Sequence, residues 1–96
     1  MLNILDEQTR VSFTKKIEIV DLIGEKILYD FDTGNYHFLM GSASDTMEYI
    51  KDNISVAEIL DAVAEDFDVP REICLRDTSA FLFRLEEKGF LKLELS

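Results

Sequence analysis

The stretch Ile27-Leu28-Tyr29-Asp30-Phe31-Asp32-Thr33-Gly34-Asn35-Tyr36-His37-Phe38-Leu39-Met40 reads as two apolar strands around a short turn. Asp32-Thr33-Gly34-Asn35 supplies the turn chemistry. An Asp side chain can accept from backbone amides ahead of it, and Gly tolerates positive φ. Lys26 to Phe31 leads into the turn and Tyr36 to Met40 leads out of it. Strands joined by a loop of about three to five residues are antiparallel neighbours. Upstream, Ile17, Ile19, Asp21 and Ile23 alternate with Glu18, Val20 and Leu22, which predicts a strand before these two. Gly24-Glu25 is read as the tight turn between them.

Downstream the period changes from two to about 3.6. Ser42 or Ser44 is placed to cap a helix running to about Asp52, with Met47 and Ile50 facing inward. Ser55-Val56-Ala57-Glu58 is a capping box. It opens a helix with Val56, Ile59, Leu60, Val63 and Ala64 on one face, closed by Phe67. Asp68 as N-cap and Pro70 in the first turn start a third helix, which runs to about Lys88. Cys74, Thr78, Phe81, Leu82 and Leu85 form its inward stripe, and Gly89 ends it. Phe90, Leu91, Leu93 and Leu95 make an apolar, extended tail.

Met1 to Lys16 is weakly patterned, and Val11-Ser12-Phe13 either starts a strand or belongs to a loose arm. The chain is accordingly divided into an N-terminal arm, residues 1–16, and a domain, residues 17–96. Strands grouped before helices imply an α+β domain, a three-stranded antiparallel sheet followed by three helices on one side of it. Such a sheet needs the helices for stability. Three helices and an extended tail also resemble a winged-helix arrangement.

The composition bounds the function. With 96 residues, of which 47% are hydrophobic, the chain fits one domain with one core. A single cysteine, Cys74, excludes an intramolecular disulfide, and the reading is a cytoplasmic protein. No apolar run approaches the ~20 residues that span a bilayer, and no secretory signal opens the chain. Twenty acidic against ten basic residues give a formal charge of −10. That charge repels a phosphate backbone and argues against nucleic-acid binding. It favours solubility and attraction to basic partners.

No convergent chemistry is evident. His37 is the only histidine, so neither a His-rich metal site nor a His-relayed triad can be assembled. It reads as a packed or surface side chain of a strand. Cys74 lies on an inward helical face and reads as a small buried hydrophobe. The pairs Glu65-Asp66 and Glu86-Glu87 are adjacent, so on a helix they point apart. There is no Gly-rich phosphate loop, and no cofactor is expected. What stands out is the third strand. Tyr36, Phe38 and Met40 occupy one face, His37 and Leu39 the other, and no charge interrupts them. An edge strand normally carries charge to block foreign strands. Either the domain covers this strand or it awaits a partner. Phe83 sits off the inward stripe of the last helix; it either walls a groove or packs on the arm or the tail.

The segment Ile27 to Leu39, with Asp30-Phe31-Asp32-Thr33-Gly34 as a D-x-x-T-G turn, resembles the hairpin of the PqqD family. These are the small pyrroloquinoline quinone (PQQ) biosynthesis chaperones and their relatives, the precursor-peptide recognition elements of ribosomal natural-product (RiPP) pathways. Ser55-Val56-Ala57-Glu58-Ile59, Phe67-Asp68-Val69, Phe81-Leu82, Leu85 and Gly89-Phe90-Leu91 are similar to the rest of that domain, so the likeness spans about residues 17–93. It departs at Leu39-Met40, where the family usually has Leu-Asn, and near Thr46-Met47, where it often has Ile-Trp. The resemblance implies a non-catalytic adaptor that binds the leader of a precursor peptide as an added strand. It would present that peptide to a modifying enzyme, often a radical SAM enzyme. The resemblance puts Tyr36, His37, Phe38 and Met40 on one wall of the peptide cleft. The last helix forms the other wall; a helical wheel leaves open which of its faces borders the cleft, and the reading takes the side next to the inward stripe, Leu75, Ser79, Leu82, Phe83 and Glu86. Two other readings share the architecture: a winged-helix regulator, and a homodimeric interaction module in which two third strands pair.

Overall fold

A computed structural model describes residues 4–14, 17–23 and 25–95. Gly24 lies outside them, and so do residues 1–3 and 15–16 of the N-terminal arm. The expected turn at Gly24-Glu25 is therefore described only at Glu25, which opens a strand.

The elements run β1 (Thr9–Phe13), β2 (Ile17–Leu22), β3 (Glu25–Asp30), β4 (Tyr36–Met40), α1 (Ser42–Met47), β5 (Ile54–Ser55), α2 (Val56–Asp66), α3 (Arg71–Glu87) and β6 (Leu91–Leu95). The fold is α+β with antiparallel sheets, as the grouping of elements implies. The expectation of a single three-stranded sheet is corrected: there are two, ordered β2-β3-β4 and β5-β1-β6. The first is the expected one. The second is built from segments far apart in sequence, which local periodicity cannot join. Val11 pairs with Leu93 on one side and Ile54 on the other. Val11-Ser12-Phe13 is thus part of a central strand, and Val11 is fully buried.

Side-chain and backbone hydrogen bonds set the hairpin. In β2-β3-β4, Ile17 pairs with Asp30 and Leu22 with Glu25; Tyr29 pairs with Tyr36 and Ile27 with Phe38. Asp30, not Asp32, carries the turn. Its carboxylate accepts from the Asp32 amide at 2.9 Å and the Thr33 hydroxyl at 3.0 Å, and its carbonyl accepts from the Gly34 amide at 2.9 Å. Gly34 has φ 75°, a conformation that costs a β-carbon strain.

The helices pack one core. Ser55 caps α2 with the expected box: its hydroxyl accepts from the Glu58 amide at 3.2 Å while Glu58 reaches back to the Ser55 amide. Val56, Ile59 and Leu60 are buried, as the spacing predicts; Val63 is half-buried and Ala64 exposed. On α3, Thr78, Phe81, Leu82 and Leu85 are buried and Cys74 is half-buried. The helix begins at Arg71 with Pro70 as N-cap, rather than Asp68. Its end is a Schellman turn: the Phe90 amide donates to Leu85 and the Gly89 amide to Glu86. α1 is shorter than expected, ending at Met47, and its N-cap is Gly41, with no side-chain cap bond. Met47 and Ile50 still point inward. Leu28 and Leu39 join these helical side chains, so one face of β2-β3-β4 is the floor of the core. Each fully buried aliphatic side chain there contributes about 1.5–3 kcal/mol.

Candidate functional site: the open edge of β4

β4 is an edge strand. Among the described residues no strand pairs with it beyond β3, so alternate residues turn N–H and C=O groups outward. The alternation of the strand then sorts its side chains. Leu39 is buried and His37 half-buried on the helix side. Tyr36, Phe38 and Met40 are 62%, 53% and 63% exposed on the other side. Tyr36 and Phe38 meet edge to face at 5.6 Å. Three large apolar side chains facing water along an uncharged edge is the pattern that protein surfaces normally avoid.

Two cavities lie in this part of the molecule, and residues of β4 line the smaller one. At the start of β4, a cavity of about 280 Å³ is lined by Asp30, Thr33, Asn35, Tyr36, His37, Lys88 and Phe90. The His37 ring lies 6.3 Å from the Phe90 ring. Burial, followed by the charges of Lys88 and Arg84, holds the His37 imidazole below its ordinary value of 6.5. Beyond the end of β4, a larger cavity of about 500 Å³ lies between α1, the end of α2 and α3. Ala43, Val63, Phe67, Val69, Ala80 and Phe81 give it apolar walls, and Asp45, Asp77 and Arg84 stand at it. Tyr49 also lines it, and a hydrogen bond to Asp66 raises the phenol to about 12. Arg84 lines one cavity and Lys88 the other, one helical turn apart on α3.

The strand residues expected at the cleft, Tyr36, His37, Phe38 and Met40, all lie on this edge. The helix residues expected opposite them make contacts of their own. Ser79 and Leu82 are fully buried, and Ser79 accepts a hydrogen bond from the Leu5 amide at 2.9 Å. Leu75 packs on the core. Glu86 accepts from the Leu93 amide of β6 at 3.3 Å, and Phe83 is half-buried. None of these five lines either cavity. The face of α3 that does is Cys74, Asp77, Thr78, Ala80, Phe81 and Arg84. The helical wheel alone offered two flanks of the inward stripe, and nothing local says which one turns toward β4. The fold separates the two: Ser79 is held by the Leu5 amide and Glu86 by the Leu93 amide of β6, while Ala80 and Arg84 line the larger cavity. Lys88 and Phe90 were not anticipated at the site. Among the described residues there is no cluster of three or more His, Cys, Asp or Glu side chains that could hold a metal ion. No helix among them is long and apolar enough to cross a membrane.

The profile of the family described as Coenzyme PQQ synthesis protein D (PqqD) matches residues 25–91, from the first residue of β3 into β6. The chain belongs to the PqqD family. Among solved structures, it is similar to TbiB1 in complex with the TbiA(beta) leader peptide. The identity is 25%, the TM-score 0.72, and the match covers 84% of this chain and 94% of that one. A comparison with curated proteins finds no match. The part of this PqqD-family chain that the profile covers includes the whole hairpin, the open edge of β4 and the lining of both cavities.

Proposed function

We propose that this PqqD-family chain is a non-catalytic adaptor that binds the leader of a ribosomally made precursor peptide. The leader adds as a strand to β4 and is presented to a peptide-modifying enzyme. The observation that carries this reading is the open β4 edge: uncharged, apolar, and bordered at its start by a cavity that Tyr36 and His37 line. Main-chain hydrogen bonds to the edge give grip independent of sequence, and the cavities give selectivity. The likeness to a leader-bound structure, TbiB1, supports it. Tyr36, His37, Phe38 and Met40 form the strand wall. On the helix side we assign Ala80, Arg84 and Lys88, which line the cavities; of the residues expected there, Ser79 and Leu82 are fully buried and none lines either cavity.

The partner enzyme is a peptide-modifying enzyme of the radical SAM class, working with this adaptor in the cytoplasm. The order α1, β5, α2, α3, β6 is what a winged-helix likeness rests on. A charge of −10 argues against duplex DNA as the ligand.

The test is a titration of the isotope-labelled chain with the leader half of a precursor peptide encoded beside its gene. Amide signals of residues 35–41 and of Ala80, Arg84 and Lys88 should move together. A leader that leaves them in place while the chain is folded contradicts the reading for that peptide. If β4 instead pairs with a second copy, the same signals shift with protein concentration alone.

A further inference from the structure

The chain carries twice as many acidic as basic residues, so most cations have a carboxylate at hand. Lys15 and Lys16 lie outside the described residues. Of the others, Arg10, Lys26, Arg71, Arg76 and Lys92 are each in an ion pair. Lys51, Arg84 and Lys88 are in none among the described residues. Two of these three are one helical turn apart: Lys88, the C-cap of α3, lines the smaller cavity with Tyr36 and His37, and Arg84 lines the larger one with Asp45 and Asp77. After burial, both charges act on His37 and lower its imidazole below the ordinary value of 6.5. Among the described residues, the other charged side chain lining the smaller cavity is Asp30, whose carboxylate accepts from the Asp32 amide and the Thr33 hydroxyl of the hairpin turn.

The macrodipole of α3 accounts for cations near its C-terminus. It does not account for the side they take. On the opposite flank of the same turn, Glu86 faces β6. Arg84 and Lys88 take the flank that lines the two cavities, where Asp77 stands two turns before Arg84.

We propose that the peptide taken by this cleft carries a carboxylate side chain at the position facing His37, held between Arg84 and Lys88. This rests on the peptide-binding reading and adds the ligand's chemistry to it. A bound strand alternates its side chains, so the residues pointing toward α3 fall opposite His37 and Leu39. A carboxylate near His37 comes within reach of two unpaired cations at a site that the added strand itself shields from water. Guanidinium and ammonium groups in that setting make charge-assisted hydrogen bonds. The preference runs against the net charge. A surface of −10 attracts basic peptides non-specifically, so selection of acidic ones must come from a local site.

The experiment is a selection from a displayed library of random 12-residue peptides on the immobilised full chain. The enriched peptides are then synthesised, and their affinities measured at fixed salt. The proposal expects Asp or Glu beside apolar positions among the enriched sequences. R84Q/K88Q should bind them about tenfold more weakly, as for two partly exposed ion pairs. The charge-matched control K51Q/K92Q should bind within about twofold. Replacing the peptide's Glu by Gln should reproduce the loss on the wild-type chain, a readout that stands even if R84Q/K88Q fails to fold. Enriched peptides that lack the acidic preference, or that bind R84Q/K88Q as well as wild type, overturn the carboxylate assignment and leave peptide binding intact. A library that yields no peptide above the bare support overturns both.

Discussion

At His37 the two sides of the site meet in one side chain. Burial comes first and the Lys88 and Arg84 charges second, and both disfavour the imidazolium. The folded chain therefore takes up this proton less readily than the unfolded one. The contribution to stability is complete above the ordinary value of 6.5, and it is lost as pH falls from there through the lower, folded value. A proton-resolved NMR titration should place His37 below 6.5, and Arg84→Gln or Lys88→Gln should each move it upward. An unchanged value in both variants would remove the cations from the cleft. Asp30 is the other residue on which the site depends. Its buried carboxylate holds the Asp32 amide and the Thr33 hydroxyl. Asp30→Ala strands those donors and should cost about 1–3 kcal/mol in urea unfolding. Sequence reasoning gave the turn to Asp32 because it sits inside the Asp-Thr-Gly-Asn run. Asp30 is the last residue of a strand, and only the bonded geometry shows that its side chain folds back over the loop.

At the scale of elements, β4 and α3 respond to substitution in opposite ways. Phe38 is half exposed on an edge strand, so Phe38→Asp removes no core contact and places a charge where a foreign strand must pair. Its melting temperature should stay close to wild type while leader affinity falls at least about tenfold. Leu82 is fully buried, and Leu82→Ala should cost about 2–5 kcal/mol in denaturant unfolding. The folded fraction of that variant should still bind peptide normally, since Leu82 faces the core. The contrast shows what a sequence can and cannot express. Period-two alternation placed β2, β3 and β4, and a capping box with a 3.6 period placed α2, because those signals are local. The second sheet was not visible, since β1 finds β5 and β6 roughly 40 and 80 residues away through pairing that leaves no short-range pattern. The cleft-facing flank of α3 was hidden for the same reason: it is fixed by where β6 returns.

For the whole molecule, charge and shape pull against each other. The outer face of β4, with Tyr36, Phe38 and Met40, is apolar enough to invite association, while twenty acidic residues against ten basic ones make two copies repel. We expect repulsion to prevail. Light scattering at moderate salt should report the mass of a single chain, and a 1:1 complex once peptide is added. A mass twice that without peptide would mean that two β4 edges satisfy each other, and the peptide would then have to displace a copy of the chain. The account stands or falls on what lies beside β4 in the complex. Cross-strand NOEs between a bound leader peptide and the labelled chain measure this directly. Strand addition predicts backbone contacts from the peptide to residues 36–40, with slowed amide exchange at alternate positions of that strand. A peptide that binds with NOEs only to β2 or to the helices, and with β4 exchange unchanged, would contradict it.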